Sequence, residues 1–136
     1  MREIEFKGKR KYKGDWVIGY FVKTNGGHSW LVQMNCFGGL LPKDCFDVVP
    51  ETVCQYSGHR DKNNEKIYEF DRATYEMGDE VLTGTIIFDK DYLYWKFVYE
   101  STDVNDKVTT KSMDFIETES EEYQVIGNVY DNSSIK

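Results

Sequence analysis

Between Tyr56 and Asp71 the chain reads YSGHRDKNNEKIYEFD, which gathers His59, Asp61, Asn63, Glu65, Glu69 and Asp71 into one short span. Such residues can ligate calcium, move protons or activate a nucleophile, and each chemistry demands its own spacing. Asp61, Asn63 and Glu65 occupy the alternate positions that open a calcium loop. The sixth and twelfth positions, where such a loop needs glycine and a bidentate glutamate, are Lys66 and Arg72. A cation in place of the final ligand excludes calcium. His59 with Asp61 would need a nucleophile, and neither Ser57 nor any cysteine lies in a nucleophile motif. Glu69 and Asp71 alternate as a solvated strand face does, which is not by itself an acid and base pair. No catalytic residue is expected, and the chain is read as not an enzyme.

Turn chemistry explains the same span more economically. Asp61 can accept hydrogen bonds from backbone amides two residues on, and Asn63-Asn64 tolerates left-handed backbone angles. YSGHR and EKIYEF are then the arms of a hairpin.

Elsewhere the signals for cofactors are equally thin. Cys36, Cys45 and Cys54 are an odd set at nine-residue spacing, unlike either a disulfide framework or a zinc knuckle, so reduced thiols and no metal are expected. The glycine pairs in NGGH and CFGGLL lack the lysine and helix that make a phosphate loop, so no cofactor is expected.

The elements that must position these residues are strands. Ten tyrosines, eight phenylalanines and three tryptophans against two prolines suit pleated, half-buried surfaces. WVIGYFVK, TNGG and HSWLVQMN predict a hairpin closed at Asn25-Gly26, with apolar groups on both faces and hence covered on both sides. IEFKGK is a candidate edge strand, Val53 to Tyr56 a short strand, and VLTGTIIFDKDYLYWKFVYE a second hairpin around DKD. STDVNDKVTTK is expected to be a long loop, SMDFIETESEE at most one helical turn, and YQVIGNVY a closing strand. Strands at this spacing predict a small antiparallel barrel or two lobes of that kind.

Net charge is −7, which disfavours nucleic acid and anionic membrane as partners of the whole chain. No apolar run approaches a transmembrane span, and the start lacks the apolar segment of a signal peptide, so a cytoplasmic protein is expected. The charge is uneven: residues 1–24 hold seven basic against three acidic groups, and residues 100–124 eight acidic against two basic. Opposite ends of two copies could therefore attract, which predicts a homo-oligomer. KGKRKYKGDW is the best nucleic-acid feature, with Lys9, Arg10 and Lys11 for phosphates and Tyr12 and Trp16 to stack bases. The competing reading of these lysines is an edge strand protected from aggregation.

Three motifs in order carry a family resemblance. CQYSGHRDKNNEKIYEFD resembles the signature of YopX-like proteins of phages and prophages through Gln55, Tyr56, Gly58, Asp61, Asn63, Ile67, Tyr68, Glu69 and Asp71. YQVIGNVYDN is similar to that family's ending, and MREIEFKGKR with WVIGY to its opening. Asn64 and Phe70 stand where the family pattern has glycine, and Ser133 where it has proline. The resemblance implies a phage-associated protein of the host bacterial cytosol with an SH3-like β-barrel in its C-terminal part, and no established activity. The organisation expected is an N-terminal β-hairpin lobe over 1–52 and the barrel over 53–136, or one continuous unit. The function expected is a non-enzymatic protein-interaction module; the alternative is a nucleic-acid-associated regulator using the basic N-terminal stretch.

Overall fold

The computed structural model describes residues 4–33, 45–102, 104–115 and 122–131. The chain parts into two compact units, the first running to Tyr56 and the second covering Ser57–Asp131. Regular structure among the described residues is mainly antiparallel β, with a 3-10 turn at Pro50–Thr52.

In the first unit β1 (Phe6–Lys9), β2 (Trp16–Lys23), β3 (Ser29–Val32) and β4 (Cys45–Asp47) are joined by the start of β5 (Cys54–Arg60), in the order β4-β3-β2-β1-β5. The expected β2–β3 hairpin forms, with Tyr20 opposite Val32 and Val22 opposite Trp30. Its alternation puts Phe21 opposite Leu31, beside Phe6, on the face that buries Leu31 completely. The other face departs from expectation: Ile18, Tyr20 and Val22 are 42%, 55% and 45% exposed rather than covered. Nor is β1 an edge strand, because it lies between β2 and β5. Its lysines fit an interior strand by laying their amines over an aromatic face: Lys7 Nζ is 4.7 Å and Lys9 Nζ 5.4 Å from the Trp16 ring centre.

In the second unit the remainder of β5 pairs with β6 (Lys66–Tyr68), as the hairpin reading requires. Then come β7 (Asp71–Met77), β8 (Glu80–Asp89), β9 (Tyr94–Thr102), β10 (Val108–Asp114) and β11 (Tyr123–Asn128), in the order β10-β9-β8-β7-β11. The closed barrel is corrected to an open sheet: β10 and β11 are its two edges and do not pair. Along β10 only Met113 turns an apolar side chain toward the core, so this strand has little surface to bury by closing the sheet. β10 also overturns the long loop expected over STDVNDKVTTK. Val108 to Lys111 pair with Thr102 to Tyr99, and their threonines suit an exposed strand as well as a turn. Of the expected helical turn over SMDFIETESEE, Ser112, Met113 and Asp114 instead continue β10, and residues 116–121 lie outside the described residues.

The core of this unit is aromatic. Ile67, Ala73, Ile86, Trp95, Phe97, Phe115 and Tyr123 are buried, with Tyr75, Leu82, Phe88, Tyr99, Met113 and Val125 packed around them. The Tyr123 ring lies 4.7 Å from Tyr75, 5.0 Å from Phe115 and 5.2 Å from Phe97, centre to centre. Each such ring contributes about 1.5–3 kcal/mol by leaving water, which is what holds β7, β9 and β11 together.

The β8–β9 turn is held by one carboxylate. Asp89 takes an ion pair from Lys96 at 3.0 Å and accepts the amides of Asp91 at 2.9 Å and Tyr92 at 3.1 Å. The Lys96 contact, reinforced by the Tyr92 amide, lowers the Asp89 pKa, and the same pair raises that of Lys96. Asp89 therefore adds stability that is complete above the ordinary aspartate value of about 4 and is lost as pH falls through its lower folded value. Lys96 adds stability that is complete below about 10.4 and is lost as pH rises through its higher folded value. The stability gap between wild type and Asp89→Asn should thus be wide at pH 7 and shrink toward pH 3. Urea unfolding at the two pH values checks this, and a gap of equal size at both would contradict it.

Candidate functional site

The residues proposed from the basic stretch do assemble in one place, the turn from β1 to β2. Gly14 N–H donates to the Arg10 carbonyl and Arg10 N–H to that of Asp15, each at 3.0 Å, so Lys11–Lys13 form the tip. Their cations are largely matched, however. Arg10 grips Asp15 with both arms of its fork, Nε to Oδ1 at 2.7 Å and Nη2 to Oδ2 at 2.6 Å. This contact holds the Asp15 carboxyl below, and the Arg10 guanidinium above, their ordinary values. Lys11 Nζ lies 3.5 Å from Asp47 Oδ1, while Lys9 is only 6% exposed and covers Trp16. Tyr12 alone among the five is nearly fully open, at 95%.

A shallow cleft of about 230 Å³ lies under this tip, between Tyr12, Lys13 and Phe46. Arg10 also caps the Phe46 ring, 5.6 Å from its centre. Charge counting along the segment misses Asp47 and Phe46, since β4 brings them from some 35 residues away through its pairing with β3. Asp15 was visible in the sequence, but its bidentate geometry was not. The positive field expected for phosphate is therefore reduced at its source.

The stretch from Tyr56 to Asp71 is built as a turn with two anchors. Asp61, almost fully buried, accepts the amides of Asn63 at 2.8 Å and Glu65 at 2.9 Å on Oδ1, and that of Val125 in β11 at 2.8 Å on Oδ2. Asn64 has φ 65°, in the left-handed region. Asn64→Gly should leave stability unchanged or raise it by up to about 1 kcal/mol, since glycine takes this angle without steric cost. Chemical denaturation measures it, and a loss beyond about 1 kcal/mol would refute the turn assignment.

The second anchor is Asp71, whose Oδ2 accepts the Tyr68 amide and whose Oδ1 accepts the Asn128 side-chain amide, both at 2.8 Å. Asn128 in turn accepts the Tyr130 amide on Oδ1 at 2.9 Å, and its own backbone amide donates to Asp131 at 2.8 Å. Phe70, at φ 66°, keeps the backbone angle a glycine would adopt. Its amide bonds the Ile86 carbonyl at 2.7 Å, its carbonyl accepts from Val129 at 2.9 Å, and its ring packs edge-on to Tyr130, 5.7 Å away. These contacts offset the roughly 1–2 kcal/mol that a side chain costs at such an angle. Asp61 thus holds three backbone amides, and Asp71 one backbone amide and the Asn128 side chain.

His59 is exposed and rests edge-on to Phe115, 5.7 Å between centres. Glu69 offers its carbonyl to Asn128 Nδ2 at 3.4 Å. Among the described residues no cluster of three or more histidines, cysteines and carboxylates is placed to hold a metal. Among them, too, no helix is long and apolar enough to cross a membrane.

The fold and its two anchors define an all-β chain of two units, in which a mid-chain polar turn and the last strand are tied by buried carboxylates. The chain belongs to the YopX protein family, whose model matches residues 5–135. None of the curated proteins compared with it matches.

Proposed function

We propose that this protein is a phage- or prophage-associated protein-interaction module without enzymatic activity, working as a homo-oligomer in the host bacterial cytosol. The observation that carries the reading is the apolar row Ile18, Tyr20 and Val22 on one face of β2, each more than two-fifths exposed. Contiguous apolar surface of this kind is costly to leave in water and is a common mark of a docking face. The uneven charge of the two ends supports self-association. The order β10-β9-β8-β7-β11, in which the last strand returns beside the first of the five, supports reading the second unit as an open relative of the SH3-like barrel.

Light scattering at low and at physiological salt tests this. The expected mass is a multiple of 16.0 kDa, returning to one chain when Ile18, Tyr20 and Val22 become threonine. A single-chain mass for the wild type at low salt would overturn self-association.

A second reading, a nucleic-acid-associated regulator, has Tyr12 on its side, open at the loop tip next to Lys13. It predicts salt-dependent binding of single-stranded DNA or RNA that disappears when Lys9, Arg10 and Lys11 are replaced by alanine. Absence of such binding would discard it.

A further inference from the structure

The outer face of the second unit's sheet, opposite its aromatic core, carries a cleft of about 200 Å³ over β7, β8, β9 and β10. Register puts its side chains on one surface. Arg72 is opposite Thr85, Thr85 opposite Val98, and Glu100 opposite Thr110, with Thr83 one pleat along β8 from Thr85. Arg72 is half-buried, and its Nη1 donates to Thr85 Oγ1 at 2.8 Å. Among the described residues neither Arg72 nor Glu100 has an ion-pair partner, although both line this cleft.

A half-buried guanidinium that faces only a hydroxyl lacks the counter-charge such groups normally take. It has five donors, and the Thr85 contact uses one while fixing the orientation of the fork. A carboxylate is the group whose two oxygens match that fork. Glu100 sets a second condition. Its negative charge in the same cleft disfavours a phosphate or a second carboxylate, and calls instead for a donor at the far end of the ligand. Cleft and ligand then cancel each other's charges pairwise.

Monosaccharides also offer donors and acceptors, but they bind by laying a ring on an aromatic face. The Tyr99 ring is committed to the core side, stacked with Phe97 at 5.8 Å. Val98 is the apolar side chain facing the cleft, room for a small aliphatic group. Threonines 83, 85 and 110 supply hydroxyls that can donate or accept between the two charges.

We propose that this cleft is a binding site for a small zwitterionic α-amino acid, its carboxylate on Arg72 and its ammonium on Glu100. The site lies within the second unit and does not depend on the interaction reading above. Its volume, below the usual range for drug-sized ligands, matches one small residue rather than a peptide.

Amide-shift titration of the full-length, isotope-labelled protein with glycine and L-alanine tests it. The expected result is saturable shifts at Thr83, Thr85, Glu100 and Thr110. Acetate, methylammonium, inorganic phosphate and glucose, titrated in parallel, should give none that saturate in the same range. Glu100→Gln leaves the exposed end folded and should weaken L-alanine by about tenfold, as loss of one charge-assisted contact predicts. Arg72→Lys keeps the charge without the fork and should weaken it similarly. Failure of both amino acids to saturate, equal binding of phosphate or glucose, or unchanged affinity in Glu100→Gln would each overturn the assignment.

Discussion

Asp61→Ala should lower the unfolding free energy by about 3–5 kcal/mol, because three backbone amides lose their acceptor at once and each bond to a charged group is worth about 1.5–3 kcal/mol before water relaxes into the gap. The amides of Asn63 and Glu65 sit within the turn, whereas that of Val125 belongs to β11, more than sixty residues away. One side chain therefore closes the hairpin and fastens the last strand. Asp61→Asn separates the two roles. An asparagine carbonyl at the Oδ1 position keeps both turn bonds, and its NH2 group then opposes the Val125 N–H, donor against donor. Hydrogen exchange should show Val125 losing protection in that variant while Asn63 and Glu65 keep theirs. Equal loss at all three, or a change below about 1 kcal/mol in Asp61→Ala, would show that water replaces the carboxylate.

The turn at residues 61–65 could be read from sequence because its determinants are local. Aspartate and asparagine act on amides two to four positions away, and spacing alone excludes calcium. The tie from Asp61 to Val125 is a property of the fold, and no local pattern announces it. The same division runs through the other elements. The β2–β3 hairpin was signalled by Asn25-Gly26 and by alternation. β10 was missed because an exposed edge strand has no apolar period to display, and its threonines and lysine read as loop. The open sheet instead of a barrel follows from that same polar edge. At the basic tip, residue types show the cations, but the carboxylates that neutralise Arg10 and Lys11 come from a turn geometry and a cross-strand neighbour. The Arg72 and Glu100 cleft was unreadable for a related reason, since its six facing side chains come from four strands.

The family motif gains a physical meaning from this. Asp61 meets β11 at Val125 and Asp71 meets it at Asn128, so the signature in mid-chain and the Val-Ile-Gly-Asn ending are two halves of one structural lock. Motif positions of this sort specify how the second unit closes on its last strand.

Gly84→Ala should cost about 3 kcal/mol or more, at the upper end of what overpacking a core usually costs. Gly84 lies in β8, opposite Ala73 on one side and Tyr99 on the other. A Cβ added there would lie 2.3 Å from the Val98 carbonyl oxygen and 2.9 Å from the Phe97 ring. The ring could turn aside, but the carbonyl belongs to the β8–β9 ladder and can retreat only if the strands part. Relief of the ring contact alone should therefore not restore stability. In a Phe97→Leu background, Gly84→Ala should still cost most of what it costs in wild type, because the backbone oxygen remains. Urea midpoints of the four proteins in that cycle give the coupling directly. A strong rescue by Phe97→Leu would mean that the ring, and not the close approach of two backbones, demands glycine at this position. A wild-type-like midpoint for Gly84→Ala alone would mean that the β8–β9 spacing can open without loss.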